Sequence, residues 1–270
     1  MRFAGRHVLT TGGSSGIGLA IAKELASAGC HIHLAARRRE SLDQAISALE
    51  ALRTGASQDF SAHSCDISVR AEVASLFTAL RAKGRSPSIV VNSAGISLAG
   101  YFQQIPVENF ERVMQVNYFG TLYVLQEVVP EMLAAREGCI LNISSIAGLR
   151  GVFGYAAYWA SKFAVSGLTQ TLRSELKPHG IQVSLLCPPD TDTPMFRAEA
   201  DNPPETKALS KTGGVLTPEQ VARSAIRGLR RRKAIIVPGI EGKLVTVAQR
   251  FAPGLVERVE DWMIRRASGP

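Results

Sequence analysis

Short apolar runs rich in β-forming residues alternate with helical patterns from the first residues to about residue 240. Seven of these runs are strand candidates, at residues 7–11, 31–36, 57–65, 88–92, 139–144, 181–187 and 234–237. Most are unbroken apolar runs, which is the pattern of strands covered on both faces. Alternating strands and helices form repeated βαβ units. The sequence therefore predicts an α/β fold with a doubly wound, seven-stranded parallel sheet.

Glycine, serine and proline mark the ends of the predicted helices. Gly29 and Gly55 stand where helical patterns stop, Ser68 precedes a helical run, and Thr217-Pro218 predicts an N-cap with proline in the first turn. Because open α/β sheets reach this length as one unit, we expect a single domain over residues 1–240. Its segment 194–214 is polar and poorly periodic, and contains Pro203-Pro204 and Gly213-Gly214, so we expect a loop over the substrate.

Composition and charge narrow the class of protein. The net charge is +8, with a pI near 9.6, but the basic runs at 37–39 and 230–233 have no nucleic-acid-binding motif around them. The four cysteines, Cys30, Cys65, Cys139 and Cys187, form no Cys-x-x-Cys pair, so neither a metal site nor a redox couple is expected. With no signal-peptide pattern and no apolar run long enough to span a bilayer, we expect a cytoplasmic protein.

A glycine-rich turn follows the first predicted strand. Residues 11–18 read TGGSSGIG and are followed by a helical pattern. A glycine cluster alone is often just a turn, but between a strand and a helix it lets backbone N–H groups and the helix dipole bind a pyrophosphate. The sequence thus predicts a Rossmann-type dinucleotide site formed by Gly12, Ser14, Ser15, Gly16, Ile17 and Gly18.

The end of the second strand predicts which dinucleotide binds. An acidic residue here would accept hydrogen bonds from a free ribose 2′-hydroxyl. This chain has Ala35-Ala36-Arg37-Arg38 instead. Since arginine pairs bidentately with phosphate, Arg37, assisted by Arg38 or Ser15, favours a 2′-phosphate and hence NADP(H). The alternative is that Arg37 is an ordinary surface charge at the start of a helix.

Tyr158 and Lys162 are four residues apart in a helical stretch and therefore share one face. A nearby ammonium group favours the phenolate, so we expect Lys162 to lower the pKa of Tyr158. The pair would then deliver a proton to a carbonyl oxygen. Ser145 follows a predicted strand, where catalytic groups of open α/β sheets gather, and its hydroxyl is suited to hold that carbonyl. The alternative is that Ser145 caps a turn.

Together these motifs, with Asp66, Asn92-Ser93-Ala94-Gly95 and Asn117, resemble the short-chain dehydrogenase/reductase family over about residues 5–240. The resemblance implies that Asp66 contacts the adenine, that Asn117 holds a water in a proton relay, and that Lys162 also binds the nicotinamide ribose. It further implies cofactor contacts at Ile67, Asn92, Ala94, Gly95, Tyr158, Pro188, Thr191 and Thr193. The chain departs from the family pattern at Ser93, usually asparagine, and at Pro189, usually glycine.

Residues 139–196 are similar to one branch of this family, which reduces the 3-keto group of a long-chain sphingoid base, 3-ketodihydrosphingosine, with NADPH. The resemblance thus implies sphingolipid synthesis and a homodimer or homotetramer. Two alternatives stay open. One is a reductase with the same mechanism acting on a steroid, a 3-oxoacyl thioester or another ketone. The other is a non-catalytic NADPH-binding sensor, which the intact Ser145, Tyr158 and Lys162 set disfavours.

The C-terminal segment 241–270 predicts an amphipathic helical extension of the same domain. From Leu244 to Ile264 apolar residues recur at helical spacing. Such a stretch can lie on a bilayer, pack on a partner subunit or cover the substrate pocket. Residues 241–270 include five basic and four acidic residues, a net charge of +1 that attracts anionic lipid weakly. Packing on protein is therefore favoured, with peripheral membrane contact as the alternative.

Overall fold

A seven-stranded parallel sheet forms the centre of the protein. The structure, a computed structural model, describes residues 2–146, 151–199, 202–210 and 214–268. The strands lie in the order β3-β2-β1-β4-β5-β6-β7. They are β1 (His7–Thr11), β2 (His31–Ala36), β3 (Phe60–Ser64), β4 (Ile89–Asn92), β5 (Gly138–Ile143), β6 (Ile181–Leu186) and β7 (Ile235–Ile236). The predicted doubly wound sheet is confirmed.

Two predicted strands are shorter than expected. The run 234–237 forms only the two-residue β7, and the run 57–65 begins its strand only at Phe60. The residues before Phe60 form a turn in which the Gln58 side chain accepts hydrogen bonds from the backbone N–H groups of Thr54 and Gly55, at 2.6 and 3.0 Å. The backbone N–H of Gln58 donates to the Gly55 carbonyl at 3.1 Å, so it is part of this turn and not of the strand.

Helices cover both faces of the sheet. Among the described residues the α-helices are α1 (Gly16–Ser27), α2 (Arg39–Glu50), α3 (Arg70–Ala82), α4 (Val107–Met114), α5 (Gly120–Ala135), α6 (Ala156–Leu176), α7 (Pro194–Arg197), α8 (Pro204–Ser210), α9 (Pro218–Arg230), α10 (Ile240–Phe251) and α11 (Pro253–Ala267). A π-helical turn, Gln115–Phe119, joins α4 to α5. At the start of α9 the predicted cap is confirmed, since Thr217 and Gln220 form a capping box.

The two faces of the sheet have separate apolar cores. One core packs the strands against α1, α2 and α9. The other packs them against α3, α5 and α6, and includes Phe77, which is completely buried. Burying a side chain of this size contributes about 1.5–3 kcal/mol. Because helices cover both sides, every residue of β4, β5 and β6 is buried, which explains why most of their residues are apolar.

The direction of strand succession reverses at β1. This strand pairs with β2 on one side and with β4 on the other, so the chain first builds outward to β3 and then crosses back. The carboxyl ends of β1 and β4 lie in register, with Thr11 beside Asn92. In open α/β sheets such a reversal leaves a crevice in which ligands bind.

The segment 194–214 differs from the loop predicted for it. It contains the short helices α7 and α8, and α7 begins where the Thr193 hydroxyl accepts a hydrogen bond from the backbone N–H of Phe196. Residues 200–201 and 211–213, including Gly213, lie outside the described part of the chain. Short helices of this kind have too little apolar periodicity to be recognised in sequence.

The C-terminal extension is helical as predicted, but it consists of two helices. Proline at position 253 starts α11 after a break at Ala252, because proline is compatible with the first turn of a helix and not with its interior. Helix α11 packs against α8, and the Ser268 hydroxyl donates a 2.8 Å hydrogen bond to Glu205 on that helix. Much of its apolar surface is nevertheless exposed, including Leu255 and Trp262. Among the described residues, no helix combines the length and apolarity that crossing a membrane requires.

Candidate active site

A cavity of about 700 Å³ opens at the carboxyl ends of the strands. Residues of the loops that follow β1, β2, β3, β4, β5 and β6 line it, together with residues of α6, α7 and α8. It therefore lies at the reversal in strand order described above, where polar groups from several strand ends converge.

Most of the residues predicted for the site line this one cavity. They are Gly12, Ser14, Ser15, Gly16, Ile17, Arg37, Arg38, Asp66, Ile67, Ala94, Gly95, Ser145, Tyr158, Lys162, Pro188, Thr191 and Thr193. The predicted residues Gly18, Asn92 and Asn117 are not part of the lining and lie behind it.

The glycine-rich turn is shaped by two close backbone approaches. Gly12 has φ +63°, and a Cβ atom there would lie 2.7 Å from the backbone of Ala94. A Cβ atom on Gly18 would lie 2.5 Å from the carbonyl oxygen of Gly12. These contacts hold the turn against the loop after β4. Gly18 thus shapes the turn from behind rather than contacting a ligand.

The N-terminus of α1 is suited to bind an anion. No side chain caps this helix at Ser15, and its first turn has no acidic residue. The positive end of the helix dipole therefore faces the cavity uncompensated. Together with the close-packed glycines, this arrangement fits the pyrophosphate of a nicotinamide dinucleotide.

The adenosine end of the predicted site is basic. Arg37 and Arg38 are exposed and line the cavity, whereas Arg39 forms an ion pair with Asp43 on the surface of α2. Asp66 accepts hydrogen bonds from the backbone N–H and hydroxyl of Ser68, at 2.9 and 2.6 Å. Although burial acts to raise the pKa of Asp66, these bonds and the neighbouring arginine charges hold it below its ordinary value.

Tyr158 and Lys162 lie together on the cavity side of α6. The Lys162 Nζ atom lies 5.5 Å from the centre of the Tyr158 ring and donates a 3.1 Å hydrogen bond to the carbonyl of Ile143 at the end of β5. Burial lowers the pKa of Lys162 to about 8. The predicted juxtaposition of these two side chains is confirmed.

The expectation that Lys162 lowers the pKa of Tyr158 is wrong, because this pKa is raised. Burial raises this pKa, and the carboxylates of Glu199 and Asp190 raise it further. A buried phenol that faces two carboxylates keeps its proton because the phenolate would be poorly solvated and repelled. A protonated phenol can still act as an acid, since the alkoxide formed from a reduced ketone is more basic than a phenolate.

The two serines after β5 have different surroundings. The hydroxyl of Ser144 is buried and contacts the Lys162 carbonyl and the Ser166 hydroxyl, both at 3.0 Å, so it attaches α6 to the end of β5. Ser145 lines the cavity, and its hydroxyl lies 3.4 Å from the carbonyl of Pro188. Ser145 is therefore the better placed of the two to meet a substrate carbonyl.

Asn117 supports the site from the π-helical turn. Its side-chain oxygen accepts a 2.8 Å hydrogen bond from the backbone of Ile96, and its amide group donates to the Ile96 carbonyl and the Ser161 hydroxyl, both at 2.9 Å. These bonds tie the loop after β4 to α6. The water-holding role implied for Asn117 stays a prediction.

Asn92 connects β4 to β5 and α6 in a similar way. Its amide donates to Asn142 at 2.8 Å, and Asn142 donates to Thr169 at 2.9 Å. Both asparagines are buried. These bonds brace the sheet behind the cavity.

Sequence reasoning missed a polar group at the reactive end of the cavity. The Tyr155 hydroxyl donates a 2.6 Å hydrogen bond to Glu199 and accepts one of 3.0 Å from Asn202. All three residues line the cavity near Tyr158. The spacing between Tyr155 and Glu199 has no signal in sequence, since the contact joins α6 to the segment after α7.

Comparison with known proteins agrees with this geometry. The model of the short chain dehydrogenase family matches residues 6–204. The chain therefore belongs to the short-chain dehydrogenase family, whose members are oxidoreductases.

Its relatives narrow the comparison. The chain is 41% identical to 3-dehydrosphinganine reductase of Danio rerio, over 84% of this chain and 69% of that one. It is 36% identical to 3-ketodihydrosphingosine reductase of Dictyostelium discoideum, over 94% and 80%. It is also 32% identical to fatty acyl-CoA reductase of Acinetobacter baylyi, over 93% and 81%. Two of these three relatives are named for the same long-chain ketone.

Solved structures share the fold. A short-chain dehydrogenase from Sphingobium yanoikuyae in complex with NADPH is 30% identical, with a TM-score of 0.77 over 95% of this chain and 94% of that one. A short chain dehydrogenase/reductase from Burkholderia phymatum in complex with NAD is 26% identical, with a TM-score of 0.79 over 100% and 99%. Both nicotinamide dinucleotides thus occur among proteins of this fold.

Proposed function

We propose that this protein reduces 3-ketodihydrosphingosine to dihydrosphingosine with NADPH, a step of sphingolipid synthesis. The observation that carries the proposal is the position of Tyr158 and Lys162, in a cavity that joins a dinucleotide-binding turn to an apolar pocket. The names of two relatives, 36–41% identical over most of this chain, support the choice of ketone.

Arg37 and Arg38 support NADPH over NADH. Both line the cavity at the end of β2, where the sequence Ala35-Ala36-Arg37-Arg38 has no acidic residue to accept hydrogen bonds from a free 2′-hydroxyl. A guanidinium group matches the geometry of a phosphate monoester. The bound cofactor would supply the hydride for ketone reduction.

The side chains at the reactive end have distinct roles in this proposal. Tyr158 is protonated at neutral pH and donates its proton to the carbonyl oxygen of the substrate. Ser145 donates a hydrogen bond to the same oxygen and orients it. Lys162 holds the cofactor ribose and supports Tyr158 electrostatically, and Asn117 is a positioning residue that holds the loop after β4 against α6.

The principal alternative is a different carbonyl substrate. A 3-oxoacyl thioester, a steroid ketone and a fatty acyl thioester would each use the same acid and the same cofactor. The similarity to fatty acyl-CoA reductase makes the thioester a serious comparison. These substrates differ from a sphingoid ketone in charge, because the sphingoid ketone has an ammonium group and coenzyme A thioesters are anionic.

The decisive experiment compares substrates in one assay. NADPH oxidation by the purified protein is followed with 3-ketodihydrosphingosine, a 3-oxoacyl thioester, a fatty acyl-CoA and a steroid ketone. We expect the highest kcat/KM with the sphingoid ketone. Turnover of only the other substrates would retain the reductase mechanism and exclude the sphingolipid role, while cofactor binding without any turnover would favour a sensor.

The quaternary state and cellular site are further proposals. The family resemblance supports a cytoplasmic homodimer or homotetramer. The exposed apolar residues of α10 and α11 keep peripheral contact with a membrane as an alternative use of that surface. Sedimentation velocity tests the oligomer, and sedimentation with liposomes tests the membrane contact.

A further inference from the structure

Glu199 places a negative charge at the reactive end of the cavity. It is half-buried, lines the cavity and accepts the 2.6 Å hydrogen bond from Tyr155. Across the described residues, no lysine, arginine or histidine forms an ion pair with it. A carboxylate in this position is therefore available to a cationic ligand.

Two residues that line the cavity have buried donors without partners in the described part of the chain. These donors are the Trp159 indole nitrogen and the Ser97 hydroxyl. Trp159 itself is only 9% exposed, and both residues line the cavity. Leaving a buried donor unpaired costs about 1–3 kcal/mol, so a polar ligand group that reaches either atom is favoured there.

The remainder of this end is apolar. Its lining includes Leu98, Val152, Met195, Phe196 and Leu209. A ligand that satisfies the whole pocket has a cationic group and a hydroxyl beside the reacting carbon, and a hydrocarbon chain beyond them. This is the chemistry of an amino ketone with a long alkyl chain.

We propose that Glu199 is the specificity-determining residue that binds the ammonium group next to the substrate ketone. This inference rests on the proposed function, because it concerns the substrate of the same site. The ion pair places the ketone carbon beside Tyr158, whose ring lies 6.0 Å from that of Tyr155. Neutral ketones of the same length lack this contact and bind less well.

A purely structural role for Glu199 predicts a different result from ammonium binding, so experiment distinguishes the two roles. Its hydrogen bond with Tyr155 joins α6 to the segment after α7, so a variant could lose activity simply because that segment shifts. Glu199→Gln preserves the size of the side chain and an oxygen that accepts from Tyr155, but it removes the charge. Tyr155→Phe removes the hydrogen bond and preserves the charge.

The test measures kcat/KM for two substrates that differ only in the amino group, 3-ketodihydrosphingosine and 1-hydroxyoctadecan-3-one. We expect Glu199→Gln to lower kcat/KM for the amino ketone by about 10- to 100-fold, mainly through KM, because a charge-assisted contact is lost. The loss for the neutral ketone should be much smaller. Tyr155→Phe should preserve the preference for the amino ketone, and Glu175→Gln, on the exposed end of α6, serves as the matched control.

The outcomes distinguish the inference from the proposed function. Equal losses for both substrates in Glu199→Gln, or no loss for either, would overturn the role of Glu199 while leaving the proposed function intact. A wild-type protein that reduces the neutral ketone and not the amino ketone would overturn both.

Discussion

The Lys162 ammonium nitrogen lies 5.5 Å from the centre of the Tyr158 ring and is held there by the carbonyl of Ile143. The lysine is thus attached to the end of a sheet strand as well as to its own helix. Its distance to the phenol is set by the packing of α6 on β5: Lys162 is buried, whereas Tyr158 is half-buried in the wall of the cavity.

Replacing Tyr158 by phenylalanine tests the proton donor. We expect Tyr158→Phe to lower kcat by about 10²- to 10⁴-fold, the usual contribution of a general acid, because the variant lacks the hydroxyl proposed to protonate the alkoxide. NADPH affinity, measured by fluorescence titration, should change little. Tyr123→Phe is the control, since that hydroxyl contacts Gln115 outside the cavity. Near-normal turnover in Tyr158→Phe would contradict the assignment.

The pKa of Lys162 predicts a pH dependence. Because burial lowers this pKa to about 8, the free enzyme loses the ammonium charge as the pH rises through that value. We therefore expect kcat/KM for NADPH, which reports the free enzyme, to fall above about pH 8. A flat profile to about pH 9.5 would contradict the prediction. In Lys162→Arg the guanidinium stays charged, so whatever activity it retains should lack this decline.

Arg37, which precedes α2, and Arg39, its first residue, offer a matched test of cofactor choice. Arg37→Gln should lower the affinity for NADPH by about tenfold or more while leaving the affinity for NADH nearly unchanged, because only NADPH has the phosphate that this side chain binds. Arg39→Gln removes the same charge two residues away, where the side chain pairs with Asp43. It should change neither affinity. If the two substitutions lower the affinity for NADPH equally, the cause is the loss of one positive charge near the site and not the loss of a contact with the phosphate.

Gly18 should be intolerant of any side chain. Its Cβ would lie 2.5 Å from the Gly12 carbonyl and 3.0 Å from the Ser93 hydroxyl, so the glycine-rich turn must shift in Gly18→Ala. We expect a loss of about 1–3 kcal/mol in the free energy of unfolding, as for other overpacked sites, together with weaker cofactor binding. Gly55→Ala, where a Cβ meets open space, should have little effect on either. Urea unfolding and NADPH titration measure both quantities.

A chain of histidines in the first three strands predicts sensitivity to acid. His33 is fully buried, with its ring nitrogens 2.8 Å from His7 and 2.7 Å from the Ser61 hydroxyl. Burial, reinforced by the charges of its histidine neighbours, lowers its pKa to about 3 from an ordinary 6.5. Between these values the unfolded chain binds more protons than the folded one. The contribution of His33 to the free energy of unfolding is therefore fully present above about pH 6.5 and is lost as the pH falls toward 3.

Thermal unfolding between about pH 7.5 and about pH 5 checks this prediction. The wild-type Tm should fall across that range. His33→Leu should lower the Tm at pH 7.5 and flatten its dependence on pH, whereas His179→Gln, at an exposed position, should leave the slope unchanged. If the slope of Tm against pH is unchanged in His33→Leu, the buried histidines do not cause the loss of stability at low pH.

Features that depend on residues close together in the sequence were predictable from the sequence alone. The strands, the glycine-rich turn and the face shared by Tyr158 and Lys162 follow from local periodicity and spacing, because backbone geometry alone places such residues. The raised pKa of Tyr158 depends on burial and on carboxylates 32 and 41 residues further along the chain, at Asp190 and Glu199. No local pattern reports such contacts.

The π-helical turn at Asn117 was also beyond prediction. Its hydrogen bonds reach Ile96 and Ser161, on different elements, and only the packed structure brings the three together. The same limit explains why α7 and α8 were predicted as a loop. Their stability depends on caps and on contact with α11 rather than on periodicity of their own.

The charged residues at the end of β2 differ from those around the reactive end of the cavity. Arg37 and Arg38 lie at one end, and Asp190 and Glu199 lie at the other, beside Tyr158. A molecule entering backwards would place its phosphates against carboxylates and any amine against guanidinium groups. The placement of these charges thus favours one direction of entry, in which phosphates meet Arg37 and Arg38 and an amine meets Glu199.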